Sequence, residues 1–500
     1  MFSHSHKHAV PIILVTSVVV ASLLLLPTIG KDALSDRGAR VSDMTLLKVL
    51  PEVIKKADSL YYQEIDRKKM YEGAIKGALA ALDDPYTFYL PPRVQKREKE
   101  NLYHAKFGGL GIRIYADKGF IKIARPLPNT PAMKSGLQAG DYIIRVNSEA
   151  INIGGPTGQT LEDVVDILRG HVGTQVTITL QRRGVAEPFD LTLTREEIRI
   201  DSVEKEMLDA HIGYIHINSF TGRTGSEFRN AIEELQEVGM EALILDLRDN
   251  AGGLLEQANY VADAFISEGL IVSTKGRRRS FNQTYTARRD LLCPSGLPLV
   301  VMLNEYSASG SEIVAGAIKD HKRGVLLGTT SFGKGVVQQR FSLERSGGAV
   351  SLTISEYFTP SGASIDKKGI TPHVVIDREK LQAEEVLIRE KMRAGRYVNN
   401  FVEKWIEAEE SRTGSTPEDF ALLEEVLSDL IEILKENGIS LNVDLVTLEA
   451  HVIFNANVGI QQIVDLEHDN QLVEALRVLK DGEVDLILSK ATTDSPIKDE

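Results

Sequence analysis

The stretch ALILDLRDNAGGLLEQANYVADAFI, residues 242–266, holds the pattern on which the fold prediction rests. It begins with an apolar run typical of a buried strand and passes through two glycines into a segment with helical spacing. Similar strand-like runs occur at IGYIHI (212–217), LVVML (299–303) and GVLLG (324–328), and a helix-like run occurs at 226–238. Strands that alternate with helices predict an α/β domain, which we place at residues 186–380.

The turn inside this stretch carries a chemical signal. Gly252 and Gly253 stand where the apolar strand gives way to the next helix. Glycine lets a backbone N–H approach a ligand closely, and a helix N-terminus favours negative charge. The segment can therefore supply half of an oxyanion hole.

Three serines at alternate positions precede another apolar run, in NEYSASGSEIVAGA (304–317). Ser309 and Glu312 have the S-x-x-E spacing of a capping box, so this stretch alone favours a structural role for all three. We predict that Ser307 and Ser311 are structural. A role for Ser309 as a nucleophile needs support from elsewhere in the chain.

A lysine between two glycines occurs in TTSFGKGVVQQRF (329–341). Lys334 and Gln338 are four residues apart, so a helical turn would place them on one face. Taken by itself, Lys334 is more readily interpreted as an ordinary surface lysine than as a functional one.

Composition excludes several classes of function. The 500 residues carry 71 acidic and 58 basic side chains, a formal net charge of -13, which argues against a nucleic-acid partner. Cys293 is the single cysteine, so no disulfide framework and no cysteine-based zinc site is expected. His4, His6 and His8 precede the first apolar segment, and we assign no metal and no cofactor.

The N-terminal region, residues 1–40, contains an uncharged apolar segment at 9–29. Its length suits a membrane-spanning helix better than the core of a cleaved signal peptide. We therefore predict an uncleaved anchor and export from the cytoplasm, although the flanking charges give no positive-inside bias.

The rest of the chain divides into three further regions. Residues 41–104 have helical spacing that ends at DDPYTFYLPP (83–92), and residues 105–185 change to glycine-punctuated β-type runs. Residues 381–500 are helical and acidic. Two of their segments, 420–438 and 470–482, carry apolar stripes that need a partner surface. We favour a homodimer over packing within the chain.

Region 105–185 contains FGGLGI (107–112), then GLQAGDYIIRVNSEAI (136–151), then a helix and a closing strand. Amides of such a glycine-rich turn can hold a carboxylate, and a neighbouring strand edge can accept an extended peptide. This ordered set resembles a PDZ domain of the type found in proteases. The resemblance implies binding of C-terminal peptides, with the terminal carboxylate held by the amides of Leu110, Gly111 and Ile112.

Together with LDLRDNAGG, YSASGSEI, FGKGVVQQ and YFTPSGASI, this PDZ-like region follows the order seen in the C-terminal processing peptidases, or tail-specific proteases. The resemblance covers residues 43–376. It implies a multidomain α/β protein: a ClpP/crotonase-like protease core, an inserted PDZ-like domain, and helical N- and C-terminal regions. It also implies a serine endopeptidase in the bacterial periplasm, anchored to the inner membrane, that acts on proteins with free C-termini.

Residue roles carry over from the same motifs. The resemblance implies that Ser309 is the nucleophile, Lys334 the general base and Gln338 the residue that orients the lysine. Ala251 stands where a proline is common, and Gly310 where alanine is common, but neither change removes a side chain that the chemistry uses.

Physical chemistry is consistent with these roles. A serine hydroxyl needs a base, and lysine becomes one only where burial lowers its pKa. We expect Phe332, Val336 and Val337 to bury Lys334. Ser309 at a helix start leaves the Gly310 N–H to stabilise an oxyanion, with Gly252 as the second donor.

Other arrangements stay open on sequence alone. A Ser-His-Asp triad could use His211, His216, or the adjacent Asp320 and His321, which would not easily orient each other. A catalytically silent PDZ scaffold and a crotonase-like acyl-transfer enzyme are alternative functions. Arg169, at the end of the PDZ-like helix, is a candidate regulatory contact to the catalytic domain, and a regulatory adaptor is a further candidate partner.

Overall fold

The computed structural model describes residues 43–493, except for 128, 139, 155–158, 183–184, 186, 209–210, 289–290, 378–382, 418, 440–442 and 459–468. The chain divides into two units, one ending at Ala81 and one beginning at Leu82. The predicted anchor at 9–29 lies outside the described residues. Among the helices that are described, none has the length and hydropathy needed to cross a membrane.

The first unit is helical, as its periodicity predicts. It consists of α1 (Asp43–Leu60) and α2 (Arg67–Ala80). Asp66 begins α2, where its carboxylate accepts a hydrogen bond from the Lys69 N–H at 3.0 Å. This side-chain cap satisfies one of the free amides of the first helical turn.

A parallel sheet forms the centre of the second unit. Its strands, in spatial order, are β10 (Val203–Leu208), β11 (Ile212–Ile217), β12 (Ala242–Asp246), β15 (Leu299–Leu303), β16 (Val325–Gly328) and β19 (Val374–Val375). Only β10 runs antiparallel to its neighbour. The central strands are buried throughout because both faces of the sheet are covered.

Three helices cover one face of this sheet: α6 (Thr224–Glu237), α7 (Leu255–Asp263) and α8 (Gly310–Asp320). They bury one apolar core with side chains such as Leu245 and Val301. The opposite face is covered by α14 (Asn470–Lys480), with α15 (Val484–Thr493) beside it. This three-layer arrangement confirms the predicted mixed α/β class.

A second, antiparallel sheet lies next to the central one. It contains β1 (Phe88–Leu90), β18 (Gly348–Phe358), β13 (Leu270–Gly276) and β14 (Thr284–Thr286), with β17 (Val336–Leu343) paired to β18. Strand β1 precedes the PDZ-like region, yet it pairs with β18 of the core. The chain therefore enters the core, leaves it to form the PDZ-like region, and returns.

The connection out of β1 is α3 (Pro92–Lys99) followed by a π-helical turn (Glu100–His104). The next strand, β2 (Lys106–Gly109), pairs with β9 (Glu196–Arg199), where the chain returns to the core.

Between them a sheet has the order β3 (Ile112–Asp117), β4 (Phe120–Pro126), β5 (Tyr142–Val146), β7 (Gln175–Gln181) and β8 (Phe189–Thr194), with β6 (Glu149–Ala150) on β5. Helices α4 (Pro131–Lys134) and α5 (Leu161–Leu168) complete this region. Its own apolar core includes Leu110, Val164 and Leu168.

The remaining helices are α9 (Ala383–Ala394), α10 (Tyr397–Thr413), α11 (Ala421–Glu424), α12 (Leu427–Glu436) and α13 (Val443–Val458). Both predicted apolar stripes are buried within this same chain. Leu427 and Leu430 pack in the core of this helical group, and Leu472 and Val478 pack on the central sheet. The buried part of the stripes needs no second subunit, while Leu422, Ile433 and Val473 stay exposed in the same segments, and the homodimer stays a prediction.

Candidate active site

Ser309 lies at the start of α8, directly after the loop that follows β15. Its φ is +53°, a value that few residues other than glycine adopt. Gly252 packs against it: a Cβ added to Gly252 would lie 2.7 Å from the Ser309 Cβ, and the Gly252 φ is +101°. The glycine turn of the LDLRDNAGG segment therefore shapes a strained, closely packed serine.

Glu312, three residues into α8, ties the serine turn to the lysine loop. Its Oε2 accepts hydrogen bonds from the Ser309 N–H at 2.8 Å and the Lys334 N–H at 2.9 Å. Its Oε1 accepts from the Ser331 hydroxyl and the Gly333 N–H, each at 2.6 Å. Burial raises the pKa of this fully buried carboxyl, and the four donors oppose the shift. The S-x-x-E spacing predicted the bond to Ser309 and gave no sign of the others.

Lys334 lies in the loop before β17, with its Nζ 4.8 Å from the centroid of the Tyr86 ring. Burial lowers the pKa of Lys334 from its usual value, while the Glu312 and Asp84 carboxylates act in the opposite direction. The Phe332 ring, which we expected to bury Lys334, is itself 55% exposed. Across the described residues, no hydrogen bond joins Lys334 Nζ to Ser309.

The structure contradicts the predicted helical turn between Lys334 and Gln338. Gln338 lies on strand β17, at an irregularity of its pairing with β18. Its Nε2 donates to the Val336 carbonyl and the Thr353 hydroxyl, each at 3.3 Å. The side chain lines the same cleft as Lys334 and Ser309, but the bonds it makes are to the sheet.

Two tyrosines that the sequence analysis did not single out also belong to the site. Tyr86 covers Lys334 from the segment before the PDZ-like region. Tyr357 is fully buried, its hydroxyl donates to the Lys334 carbonyl, and burial raises its pKa well above the usual value. Both residues belong to motifs named above, DDPYTFYLPP and YFTPSGASI. The sequence therefore marked both segments, but it did not indicate which side chain in each would contact Lys334.

The two predicted oxyanion donors have different surroundings. The Gly310 N–H is at the first turn of α8, close to the Gly252 backbone. The Gly252 N–H donates to Asn250 Oδ1 at 2.8 Å, and the buried Asn250 amide in turn donates to the Ile217 carbonyl at 2.7 Å. In this structure the second predicted donor is therefore engaged by a side chain of its own loop.

The flanking serines bond to backbone. Ser307 Oγ accepts from the Asn304 N–H at 3.0 Å and donates to the Leu247 carbonyl at 2.8 Å. Ser311 Oγ donates to the Asn250 carbonyl at 2.9 Å. Both buried hydroxyls hold the serine loop against the glycine loop.

These elements line a cleft of about 800 Å³ that contains Ser309, Lys334 and Gln338, together with Tyr86 and Tyr357. No histidine is among its described lining residues. His321 Nε2 lies 2.7 Å from the Leu270 carbonyl, and Asp320 accepts from the Ser361 N–H at 2.8 Å. The geometry gives no support to a Ser-His-Asp triad here.

The predicted tail-binding turn lies at the edge of the PDZ-like sheet. Gly111 has a φ of +75°, and a Cβ there would lie 2.2 Å from the Thr130 Cβ, so only glycine fits. The carbonyls of Leu110 and Gly111 accept from the Ala132 and Leu127 amides, each at 2.9 Å or less. Ile112 then opens β3, an edge strand of its sheet.

The described partners of Arg169 lie in the connection that leads into the PDZ-like region, and its predicted regulatory contact with the catalytic domain stays a prediction. Its guanidinium carbon lies 3.6 Å from the Phe107 ring centroid, and its Nη1 donates to Asn101 Oδ1 at 3.0 Å. Both partners belong to the connection between the core and the PDZ-like region.

In the part of the chain that the structure describes, no cluster of three or more His, Cys, Asp or Glu side chains is placed to hold a metal ion. His4, His6 and His8 lie outside that part.

Three family models match the sequence. Peptidase family S41 matches residues 211–376, the PDZ domain matches 122–182, and the N-terminal domain of the activating protease CtpB matches 31–92.

Curated relatives cover most of the chain. A carboxy-terminal-processing protease of Bartonella bacilliformis is 38% identical over 346 residues, which is 68% of this chain and 77% of that protein. The carboxy-terminal processing protease CtpA of Bacillus subtilis is 35% identical over 363 residues, 73% of this chain and 76% of that one. Among solved structures, a photosystem II D1 C-terminal processing protease is 30% identical with a TM-score of 0.41, covering 68% of this chain and 95% of that chain.

The family models, together with the extent and identity of the two curated relatives, confirm the resemblance that the motifs indicated. The chain belongs to the carboxy-terminal processing proteases, serine-type endopeptidases of peptidase family S41 that carry a PDZ domain.

Proposed function

We propose that this protease recognises the C-terminal tails of extracytoplasmic proteins through its PDZ-like region and cleaves them with Ser309 as nucleophile and Lys334 as general base. The observation that carries the proposal is the Glu312 carboxylate. One buried side chain bonds the backbone of both residues, so it fixes the serine turn and the lysine loop at the same cleft.

The chemistry proceeds in two halves. Neutral Lys334 accepts the Ser309 hydroxyl proton as Oγ attacks the scissile carbonyl, and the resulting ammonium gives that proton to the leaving amine. Water then attacks the acyl-enzyme, with Lys334 again taking the proton and returning it to Ser309. The burial that lowers the lysine pKa raises the fraction of neutral amine available for the first step.

Because Lys334 lies against Tyr86 and makes no hydrogen bond to Ser309 among the described residues, the reaction requires its side chain to turn toward the serine. Gln338 would orient it there after exchanging its present bonds to Val336 and Thr353. A neutral amide can do this without stabilising the ammonium as a carboxylate would.

The oxyanion is assigned to the N–H groups of Gly310 and Gly252. The Gly252 amide is free for this only if it shares or releases its bond to Asn250. We also assign the core to the ClpP/crotonase-like type, because its backbone donors lie at a helix start beside a parallel sheet.

Tail recognition is assigned to the amides of Leu110, Gly111 and Ile112, with the peptide added along the free edge of β3. Binding of a tailed peptide and of its C-terminally amidated form would test this. We expect amidation to weaken binding, and equal affinities would contradict the assignment.

The apolar segment at 9–29 motivates a location in the bacterial periplasm, with the chain anchored to the inner membrane. A homodimer and a regulatory adaptor remain predictions. Dimerisation would be tested by sedimentation of the purified protein.

Cleavage of a tailed protein substrate tests the catalytic assignment. Ser309→Ala and Lys334→Ala should abolish cleavage while leaving the fold and tail binding intact. Lys334→Arg should be nearly as inactive because a guanidinium stays protonated. An arginine variant with near wild-type turnover would refute the serine–lysine assignment, and loss of activity in EDTA would indicate a metal.

The PDZ-like region is also assigned a gating role. If it activates the site, deletion of residues 105–185 lowers cleavage of short peptides without tails, and if it restrains the site the deletion raises that rate. An unchanged rate would leave the region as a tether alone.

A further inference from the structure

Arg248 begins the loop that carries Gly252, and its side chain is nearly fully buried, with 8% exposed. The guanidinium forms hydrogen bonds with both oxygens of Asp246, two residues earlier at the end of β12. Asp246 also accepts from the Tyr214 hydroxyl at 2.8 Å. Asp246 and Tyr214, the partners in this half of the network, both lie on strands of the central sheet.

The other half of the network comes from the C-terminal region. Arg248 Nη1 and Nη2 donate to the two oxygens of Asp469 at 2.8 and 2.6 Å, a bidentate pair. Nη1 also donates to Gln471 Oε1 at 3.0 Å. Gln471 is fully buried, and its Nε2 donates to the Ile376 carbonyl at 2.7 Å, just beyond β19. Every N–H of the guanidinium is thus directed at a fixed acceptor.

Helix α14 gives these two side chains a rigid base. Asp469 is its N-cap and accepts from the Leu472 N–H at 3.0 Å. Leu472, Ala475 and Val478 are fully buried on the central sheet. A helix anchored along its apolar face cannot follow a movement of Arg248, so the arginine takes its position from the helix.

The loop that follows Arg248 needs such an anchor because its backbone is strained. Asp249 has a φ of +59° and is held by Asn304, whose Oδ1 accepts from the Asp249 N–H at 3.0 Å. Gly252, three residues later, packs on Ser309. Conformations of this kind persist only when the surrounding contacts fix them.

We propose that Asp469 and Gln471 are positioning residues of the protease: through Arg248 they hold the Asp249–Gly253 loop, and with it the oxyanion donor and the packing of Ser309, in the reactive arrangement. Helix α14, with α15 beside it, then supports the active site, although both helices lie outside the residues that match the S41 family model. This inference rests on the proposed roles of Ser309 and Gly252.

The charges of the network make the inference testable without unfolding the protein. Asp246 and Asp469 contribute two negative charges against one positive charge of Arg248. Replacing Asp469 by asparagine leaves the Arg248–Asp246 pair in place, so no buried cation loses its only counterion. Asparagine is also a good N-cap residue, so the start of α14 is preserved.

Asp469→Asn is therefore the test variant, measured as kcat and KM on a tailed peptide beside its unfolding midpoint in guanidinium chloride. We expect kcat to fall roughly tenfold, with KM and the midpoint nearly unchanged, because a small displacement of a catalytic loop affects the reacting geometry first. Asp469→Glu, which keeps the charge, should recover a large part of kcat.

Arg477→Gln is the matched control. Arg477 lies on the same helix and pairs with Glu474, Asp481 and Glu483 at the surface, away from Arg248. Its kcat should equal that of the wild type. A kcat for Asp469→Asn within twofold of the wild type, or a loss shared equally by Arg477→Gln, would overturn the inference. Failure of the proposed function would be recognised separately, since Ser309→Ala would then retain turnover.

Discussion

Replacing Glu312 by glutamine perturbs a buried side chain that bonds the backbone of both the serine turn and the lysine loop. The change keeps the shape and replaces one carboxylate oxygen by an NH2 group. At the Oε1 position the new donor faces the Gly333 N–H, and at the Oε2 position it faces the N–H groups of Ser309 and Lys334. Either orientation leaves at least one buried backbone donor without an acceptor.

The size of the effect follows from these contacts. A hydrogen bond to a charged group contributes about 1.5–3 kcal/mol, and an unpaired buried donor costs a similar amount. One or two such losses give about 1.5–6 kcal/mol. The variant no longer buries a carboxylate, whose pKa burial already raises, so part of this loss is offset. We expect a net destabilisation of about 2 kcal/mol.

We expect kcat to fall by more than the loss of folding stability alone would cause. If the serine turn and the lysine loop separate by about 1 Å, the reaction slows roughly a hundredfold. Guanidinium unfolding followed by circular dichroism measures the stability, and kcat on a tailed peptide measures the alignment. Glu305→Gln is the matched control, since Glu305 is an exposed residue of the loop that precedes Ser309 and its described hydrogen bond is from the Thr329 hydroxyl, at 3.1 Å. A Glu312→Gln variant with wild-type kcat and wild-type stability would refute the reasoning.

Two further predictions concern the surroundings of the base and the nucleophile. The Asp84 carboxylate raises the pKa of Lys334, so Asp84→Asn should move the rising limb of kcat/KM to lower pH, whereas Asp83→Asn, at the exposed neighbour, should leave the pH profile in place. A limb unmoved by Asp84→Asn would contradict this. Gly252→Ala should abolish turnover, because its Cβ would lie 2.7 Å from the Ser309 Cβ. Gly136→Ala, which also has a positive φ but meets no atom within 4 Å, should lower stability alone, and an active Gly252→Ala enzyme would show that the close packing is not required.

The parts of the site that follow local rules could be predicted from the sequence. The strand, glycine turn and helix of 242–266 form as their periodicity indicates, and Ser309 begins a helix as its spacing to Glu312 requires. The motifs also identified the family, and the relatives confirm the serine-type endopeptidase. The structural inferences needed only residues that are neighbours along the chain, whereas the family followed from the order of motifs across residues 43–376.

The remaining features depend on pairings between distant segments, which periodicity does not specify. Gln338 was assigned to a helical turn, but β18 is available as a partner and makes that segment a strand. Tyr86 reaches Lys334 only because β1 joins the sheet of β18 before the PDZ-like region begins. Asp469 meets Arg248 only because α14 lies on the central sheet.

The strength of the connection between the PDZ-like region and the protease limits how any gating can work. Helix α5 is joined to α3 by ion pairs such as Arg97–Asp166, at 3.2 Å, and α3 is joined to β17 by the Glu98–Arg340 pair. These side chains are partly exposed, and such pairs contribute roughly 0.2–1 kcal/mol each. If one such pair alone carries the coupling, at about 1 kcal/mol, this route shifts an equilibrium about fivefold at most. If deletion of the PDZ-like region changes the cleavage of short peptides by much more than that, α3 is not the route, and the β2–β9 pairing and the Arg169–Phe107 contact become the next elements to test.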